Sequence, residues 1–279
     1  MISQFLSKVF IIFILSSIFI CSDRSVKSSY PEFDASFNSI KKSKGLLVPK
    51  ASKVKEIELT GGYSRLETDS LSFGFYLQNL PLNTHDNNIY SFDGKVLSTG
   101  GYHYAIIDID IGNKDLQQCA DAVMRLRAEY LYQQKRYNEI HFNFLSDGKP
   151  RYYNVYANGD RSYKKFRKYL DYIFSFANSG SLRDELLLID DINKIKIGDV
   201  FVQKGNPIGH AVIIVDMAVN NKNGKKVILI AQSYMPAQSI HILLNPNDKK
   251  LSPWYDIEFK DPLTLPAWTF NKKDLRRFK

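Results

Sequence analysis

The sequence predicts an α+β domain in which an antiparallel sheet packs on a central helix, and three observations carry that prediction. Between Asp115 and Lys135 apolar residues recur at helical spacing: Leu116, Cys119, Val123, Leu126 and Tyr130 form one stripe. After residue 199 the chain turns mostly to β-type runs, at Asp199–Gln203, His210–Val219, Lys226–Tyr234 and Ser239–Leu244. The second and third of these flank Asn220-Asn221-Lys222-Asn223-Gly224, whose turn chemistry joins them as an antiparallel hairpin.

The remaining elements follow in order. Val9 to Cys21 is an uncharged apolar run preceded by Lys8, the layout of an export signal. It is shorter than the roughly 20 residues that a bilayer crossing needs, so residues 1–21 are expected to be a leader, with a retained anchor as the alternative. Residues 22–56, rich in Ser and Lys with Pro31 and Pro49, read as a stalk. A single domain then spans 57–279, a length that one core serves. Within it, Ser72–Leu80 suits a short helix stopped by Pro81. From Tyr102 to Ile111, Ile107, Ile109 and Ile111 alternate with Asp108 and Asp110 as in a half-buried strand. Asp115 is the expected N-cap of the central helix, and Arg125 and Glu129 form an i,i+4 pair outside its apolar stripe. A strand at Glu139–Phe144, a helix at Tyr163–Ala177 and a short helix at Leu182–Leu187 complete the series.

Charge and cysteine usage narrow the function. The formal charge is +9, but Lys and Arg are spread along the chain in modest clusters at 41–44, 164–168 and 272–279. No nucleic-acid module accompanies them, so nucleic acid is not an expected partner; anionic lipid or a cell-wall polymer suits such a surface better. Of the two cysteines, Cys21 closes the leader and Cys119 is left without an intrachain partner. An unpaired thiol in an oxidising compartment asks for a reason.

Cys119 near a helix start sits where backbone N–H groups and the helix dipole favour a thiolate, the form that attacks a carbonyl. The neighbouring Gln118 could donate to an oxyanion. The competing reading is a small core residue, since buried free cysteine is common. His210 opens a strand after Gly209 and is the best base among the five histidines; His85 and His103 belong to or border loops, and His141 and His241 look like strand residues. Asp216 shares a face with His210 on regular alternation but lies roughly 20 Å along the strand, too far to orient it. Gln232, opposite Val212 if the hairpin turns about Lys222, lies diagonal to His210 and within reach. A one-residue slip would remove it and bring in Ser233. Asp108 and Asp110 suit an exposed strand face better than a metal, and with no zinc spacing, phosphate-cradling loop or hydroxyl-nucleophile elbow no cofactor is expected.

The order of Cys119 at a helix start, Gly198-Asp199-Val200-Phe201, Gly209-His210 opening a strand and a polar residue on the adjoining strand resembles papain-like cell-wall hydrolases of the NlpC and CHAP types. The likeness covers roughly residues 115–235. It implies a papain-like plan and a cysteine peptidase or amidase using Cys119, His210, Gln232 and Gln118 on an envelope substrate. The chain departs from that pattern by an insertion of some 60 residues between the nucleophile helix and the strands, and by lacking an Asp-Cys-Ser sequence. The alternative is a non-catalytic envelope lipoprotein that binds a cell-wall polymer or a protein partner. Cys21 followed by Ser22-Asp23-Arg24 resembles a lipoprotein signal, which implies lipidation at Cys21 and an exported, membrane-attached location; Ile20 departs from the small residue normal there. A longer resemblance runs from about Arg65 to Phe278, through Asp115–Ala122, Arg125–Tyr130, Gly209–Val212, Ala231–Gln238 and Ser252–Tyr255. These runs are similar to the bacterial family called domain of unknown function 4846, which implies one exported domain and leaves its activity open.

Overall fold

The structure is a computed structural model that describes residues 48–97, 101–205 and 208–279. The leader, Cys21 and most of the stalk lie outside the described residues. In chain order the described elements begin with strand β1 (Tyr63–Arg65), helix α1 (Phe73–Gln78) and strand β2 (His103–Ile106). The central helix α2 (Cys119–Gln133), strands β3 (His141–Asn143) and β4 (Pro150–Tyr152), and helices α3 (Tyr153–Ala157), α4 (Tyr163–Phe174) and α5 (Ser179–Glu185) follow. Then come β5 (Leu187–Leu188), β6 (Val200–Gln203), β7 (His210–Asn220), β8 (Lys226–Gln232), β9 (His241–Leu243), β10 (Tyr255–Asp256), β11 (Leu263–Thr264), β12 (Thr269–Phe270) and β13 (Leu275–Arg277).

The main sheet runs β2-β9-β8-β7-β6-β13-β5, with β1 added to β7 and β10 to β8, and its pairings are antiparallel. The predicted α+β class with a large antiparallel sheet is therefore what forms. Helix α2 packs on one face of the sheet: its Cys119, Val123 and Leu126 share a core with Ala211, Ile213 and Val215 of β7. Burying side chains of this size stabilises by roughly 1.5–3 kcal/mol each, which is why α2 stays on the sheet although its own sequence is only moderately amphipathic. The opposite face carries Phe201, whose ring lies 5.9 Å from that of Phe270 on β12.

Several expectations shift in detail. The core reaches back to Ala51 and Val54, inside the span read as stalk. The alternating run 107–111 is not a continuation of β2; Ile107 makes only an isolated bridge to Leu82. Asp115 is not the N-cap of α2. That place falls to Gln118, whose backbone N–H donates to Asp121 Oδ2 at 3.1 Å. Asp115 Oδ1 instead accepts from Ala237 N–H at 2.7 Å, a long-range bond that local sequence does not reveal. Cys119 is thus the first residue of its helix, nearer the N-terminus than predicted.

One irregularity decides the site. Near the turn β7 and β8 pair as Val219↔Lys226, Ala218↔Val227 and Asp216↔Leu229, but farther on as Ile214↔Ile230 and Ile213↔Ala231. Val215 is the extra residue of a β-bulge, so Val215 and Asp216 both face α1 and α2. The expectation that Asp216 shares a face with His210 is corrected by this bulge: Asp216 is bonded by Arg65 Nε at 2.6 Å and Gln78 Nε2 at 2.8 Å on the helix side. His210 points the other way.

Candidate active site

His210 is the first residue of β7 and pairs with Gln203 of β6. Its ring sits against Tyr234, Trp268 and Phe270, at centroid distances of 5.0, 5.2 and 5.9 Å. Phe270 is also the neighbour of Phe201, which places His210 on the sheet face away from α2. Gln232, the last residue of β8, lies on the same side, and its Oε1 is 2.9 Å from His210 Nε2. The structure thus brings these two side chains together.

The hydrogen-bond chain continues beyond that pair. Gln232 Nε2 lies 3.2 Å from His241 Nε2, and His241 Nδ1 lies 2.9 Å from the Ser239 carbonyl oxygen. Only one assignment satisfies every atom. The Ser239 oxygen must accept, so His241 carries its proton on Nδ1 and accepts at Nε2 from the Gln232 amide. Gln232 Oε1 then accepts from His210 Nε2–H, leaving His210 Nδ1 as a lone pair. Burial holds both rings neutral: it pushes His210 down to about 4 against a partial offset from Gln232, and His241 down to about 3 with help from His103. His241 had no distinguishing mark in the sequence beyond its strand position; its partner lies on another strand.

Cys119 is buried and belongs to the α2 side of the sheet. Its sulfur sits where β7 and β8 separate. Described pairing between those strands stops at Ile213↔Ala231, while β7 continues along β6 to His210. Ile214 N–H bonds to Asp199 O on the β6 side, so by alternation Ala211 N–H points toward β8. That N–H, with those of Ala120 and Cys119 itself, acts to lower the thiol. Burial, followed by the nearby Asp121, outweighs these donors and pushes the thiol up to about 11. No hydrogen bond among the described residues joins Cys119 to His210, whose side chains lie on opposite faces of the sheet. Ser233 Oγ lies 3.1 Å from Gln117 O and 2.9 Å from Gln238 O, two acceptors for its one hydroxyl hydrogen, tying the end of β8 to the start of α2.

Cys119 lines a cleft of about 280 Å³ with Gln118, Asp121, Asn178, Gly209 and Met235. Gln118 Nε2 donates one hydrogen to Asp115 Oδ1 at 3.0 Å, which leaves its second N–H uncommitted by that bond. Burial raises the Asp121 carboxyl well above the usual range. Asp108 and Asp110 lie elsewhere, and no group of three or more His, Cys, Asp or Glu side chains among the described residues could hold a metal ion.

A family model for a domain of unknown function, number 4846, matches residues 54–277. The chain belongs to the domain of unknown function 4846 family. No curated protein and no solved structure matches it.

In this member of the 4846 family, the second feature missed in the sequence is the burial of Arg125 and Glu129. They were expected on an outer helix face, yet Arg125 is 2 % exposed. Its Nε bonds Glu129 Oε1 at 2.7 Å, its Nη1 bonds Gln117 Oε1 at 2.8 Å, and Tyr163 OH closes the group on Glu129 at 2.8 Å. Tyr163 comes from α4, so only the tertiary fold turns an i,i+4 pair into a buried network.

Proposed function

We propose that this domain is a papain-like cysteine hydrolase, a peptidase or amidase acting on an envelope substrate, exported and held at the membrane through its N-terminus. The observation that supports it best is the tautomer of His210, fixed with Nδ1 unprotonated at the end of the strand whose next residue, Ala211, packs on the Cys119 side of the sheet. Because burial keeps thiol and imidazole neutral at rest, deprotonation accompanies attack: Cys119 Sγ bonds to the acyl carbon as its proton passes to His210 Nδ1, a step that requires the end of β7 to turn His210 from the far face of the sheet toward the sulfur. The Cys119 N–H and the Gln118 side chain stabilise the oxyanion. Collapse breaks the bond to the leaving group, which takes the proton from His210, and water then hydrolyses the thioester. Gln232 fixes the imidazole tautomer at rest.

A second reading, a non-catalytic lipoprotein that binds a wall polymer or partner, is favoured by the raised thiol and by the lack of a direct Cys119–His210 bond. Alkylation separates the two. In a Cys21→Ser chain, Cys119 is the one remaining thiol, and its iodoacetamide rate is followed against pH beside Cys21→Ser/His210→Ala. Fast labelling well below the free-thiol value of about 8.5, lost in the His210 variant, supports the hydrolase. Labelling that rises only toward strongly alkaline pH, alike in both chains, replaces it with the binding reading.

A further inference from the structure

A cavity of about 530 Å³ lies between the 110–117 segment and α4. We propose that it binds a phosphate group, independently of any chemistry at Cys119. Helix α4 turns Phe166, Tyr169, Leu170 and Ile173 to the core, while Lys164, Arg167 and Lys168 line the cavity at i, i+3 and i+4. Lys114 adds a fourth cation, and Asp110 and Asp171 are the carboxylates that answer them. Lys114 is bonded to Asp171 at 2.7 Å, and Arg167 Nη2 is 3.3 Å from Asp110. Four cations against two carboxylates leave an excess of two positive charges, with Lys164 and Lys168 in no ion pair among the described residues.

Two hydrogen-bond donors sharpen the assignment. Gln117 is 1 % exposed and lines the same cavity. Its Oε1 is held by Arg125, which fixes the amide with Nε2 as a donor, and that Nε2 has no partner; neither has the buried Arg167 Nη1. A buried N–H without an acceptor is costly, and with both side chains lining one basic cavity the acceptor that suits them also carries negative charge. A phosphate oxygen meets both needs, and guanidinium with ammonium groups is the usual donor set for it. Gly112 has a φ of +83°, and a Cβ there would come within 3.3 Å of Arg167 Nη2, so the glycine leaves space for the guanidinium.

The cavity shares Leu116 and Phe174 with the Cys119 cleft, so the two lie on either side of one apolar wall. The test is calorimetric titration of the full chain at constant ionic strength with two probes, inorganic phosphate and glycerophosphoglycerol, a soluble phosphodiester of lipid headgroup type. Lys164→Ala/Lys168→Ala alters only exposed side chains, and Lys272→Ala/Lys273→Ala is the control for net charge. The expected result is saturable binding of at least one probe that weakens tenfold or more in the first variant and is unchanged in the control. Tighter binding of inorganic phosphate would identify a free phosphate or monoester as the source, and tighter binding of the diester a lipid headgroup. Absence of saturable binding by both probes, or equal weakening in variant and control, overturns the proposal.

Discussion

Replacing His210 by Gln should remove a defined part of the pH dependence of folding. The native imidazole titrates at about 4 because it is buried among aromatic rings, whereas an unfolded histidine titrates near 6.5. Between those values the unfolded chain binds a proton that the native chain refuses, so this group's contribution is complete above about 6.5 and is lost as pH falls. At about pH 5 the unfolded ring lies roughly 1.5 units below its own value, which at 1.36 kcal/mol per unit amounts to about 2 kcal/mol. Urea unfolding of wild type and His210→Gln at about pH 7.5 and about pH 5 reads this directly. His241 and the buried carboxylates are present in both chains, so most of their contributions cancel. Wild type should lose about 2 kcal/mol more than the variant on acidification. Parallel losses would mean that His210 is not a neutral buried ring, and the tautomer assignment on which the proposed chemistry depends would go with it.

Other variants probe the remaining buried polar groups. Gln232→Leu strands His210 Nε2–H and His241 Nε2 together, and should destabilise by roughly 2–4 kcal/mol in urea melts at neutral pH; a near-neutral effect would contradict the three-residue chain. Arg65→Ala leaves Asp216 fully buried beside Gln78 alone among side chains, and an unpaired buried charge predicts a loss of about 3 kcal/mol, measured by the same melts. Glu185 is raised to about 7 chiefly by burial, so the fold disfavours its ionised form. Glu185→Gln, which keeps an acceptor for Asn143 N–H, should therefore stabilise above about pH 7 by up to roughly 3 kcal/mol, with the gain vanishing near pH 4.5. A gain independent of pH would refute that account.

What was legible in the sequence was set by local pattern. Helix α1 starts after Ser72, whose side chain accepts from Phe75 N–H, and α4 starts after Ser162 in the same way; both follow from capping chemistry within three residues. The β7–β8 hairpin follows from its turn, where Gly224 adopts a φ of +72°. The approach of Gln232 to His210 was expected from a turn centred on Lys222; the turn half pairs one register off that count, and the bulge at Val215 restores it. What failed needed partners from afar. Asp115 looked like a helix cap but spends its oxygen on Ala237, and Arg125 looked solvated until Gln117 and Tyr163 closed over it. His241 carries no local sign of its role because the amide that it orients arrives from β8.

The bulge at Val215 has a consequence for how this hairpin tolerates change. A strand has a parity: residues of even and odd number look to opposite sides, and one inserted residue exchanges them from that point on. In β7 the turn half keeps Asp216 with Arg65 and Gln78, and the half beyond Val215 presents His210 to Gln232, under opposite parities. Deleting Val215 itself would excise the bulge and leave His210 on the side of Gln232, whereas a strand that kept every residue but paired without the bulge would turn His210 toward α2, with the sheet between it and its amide. Length between Asp216 and His210 and the presence of the bulge are therefore constrained together: an even spacing needs the bulge, and an odd spacing needs its absence.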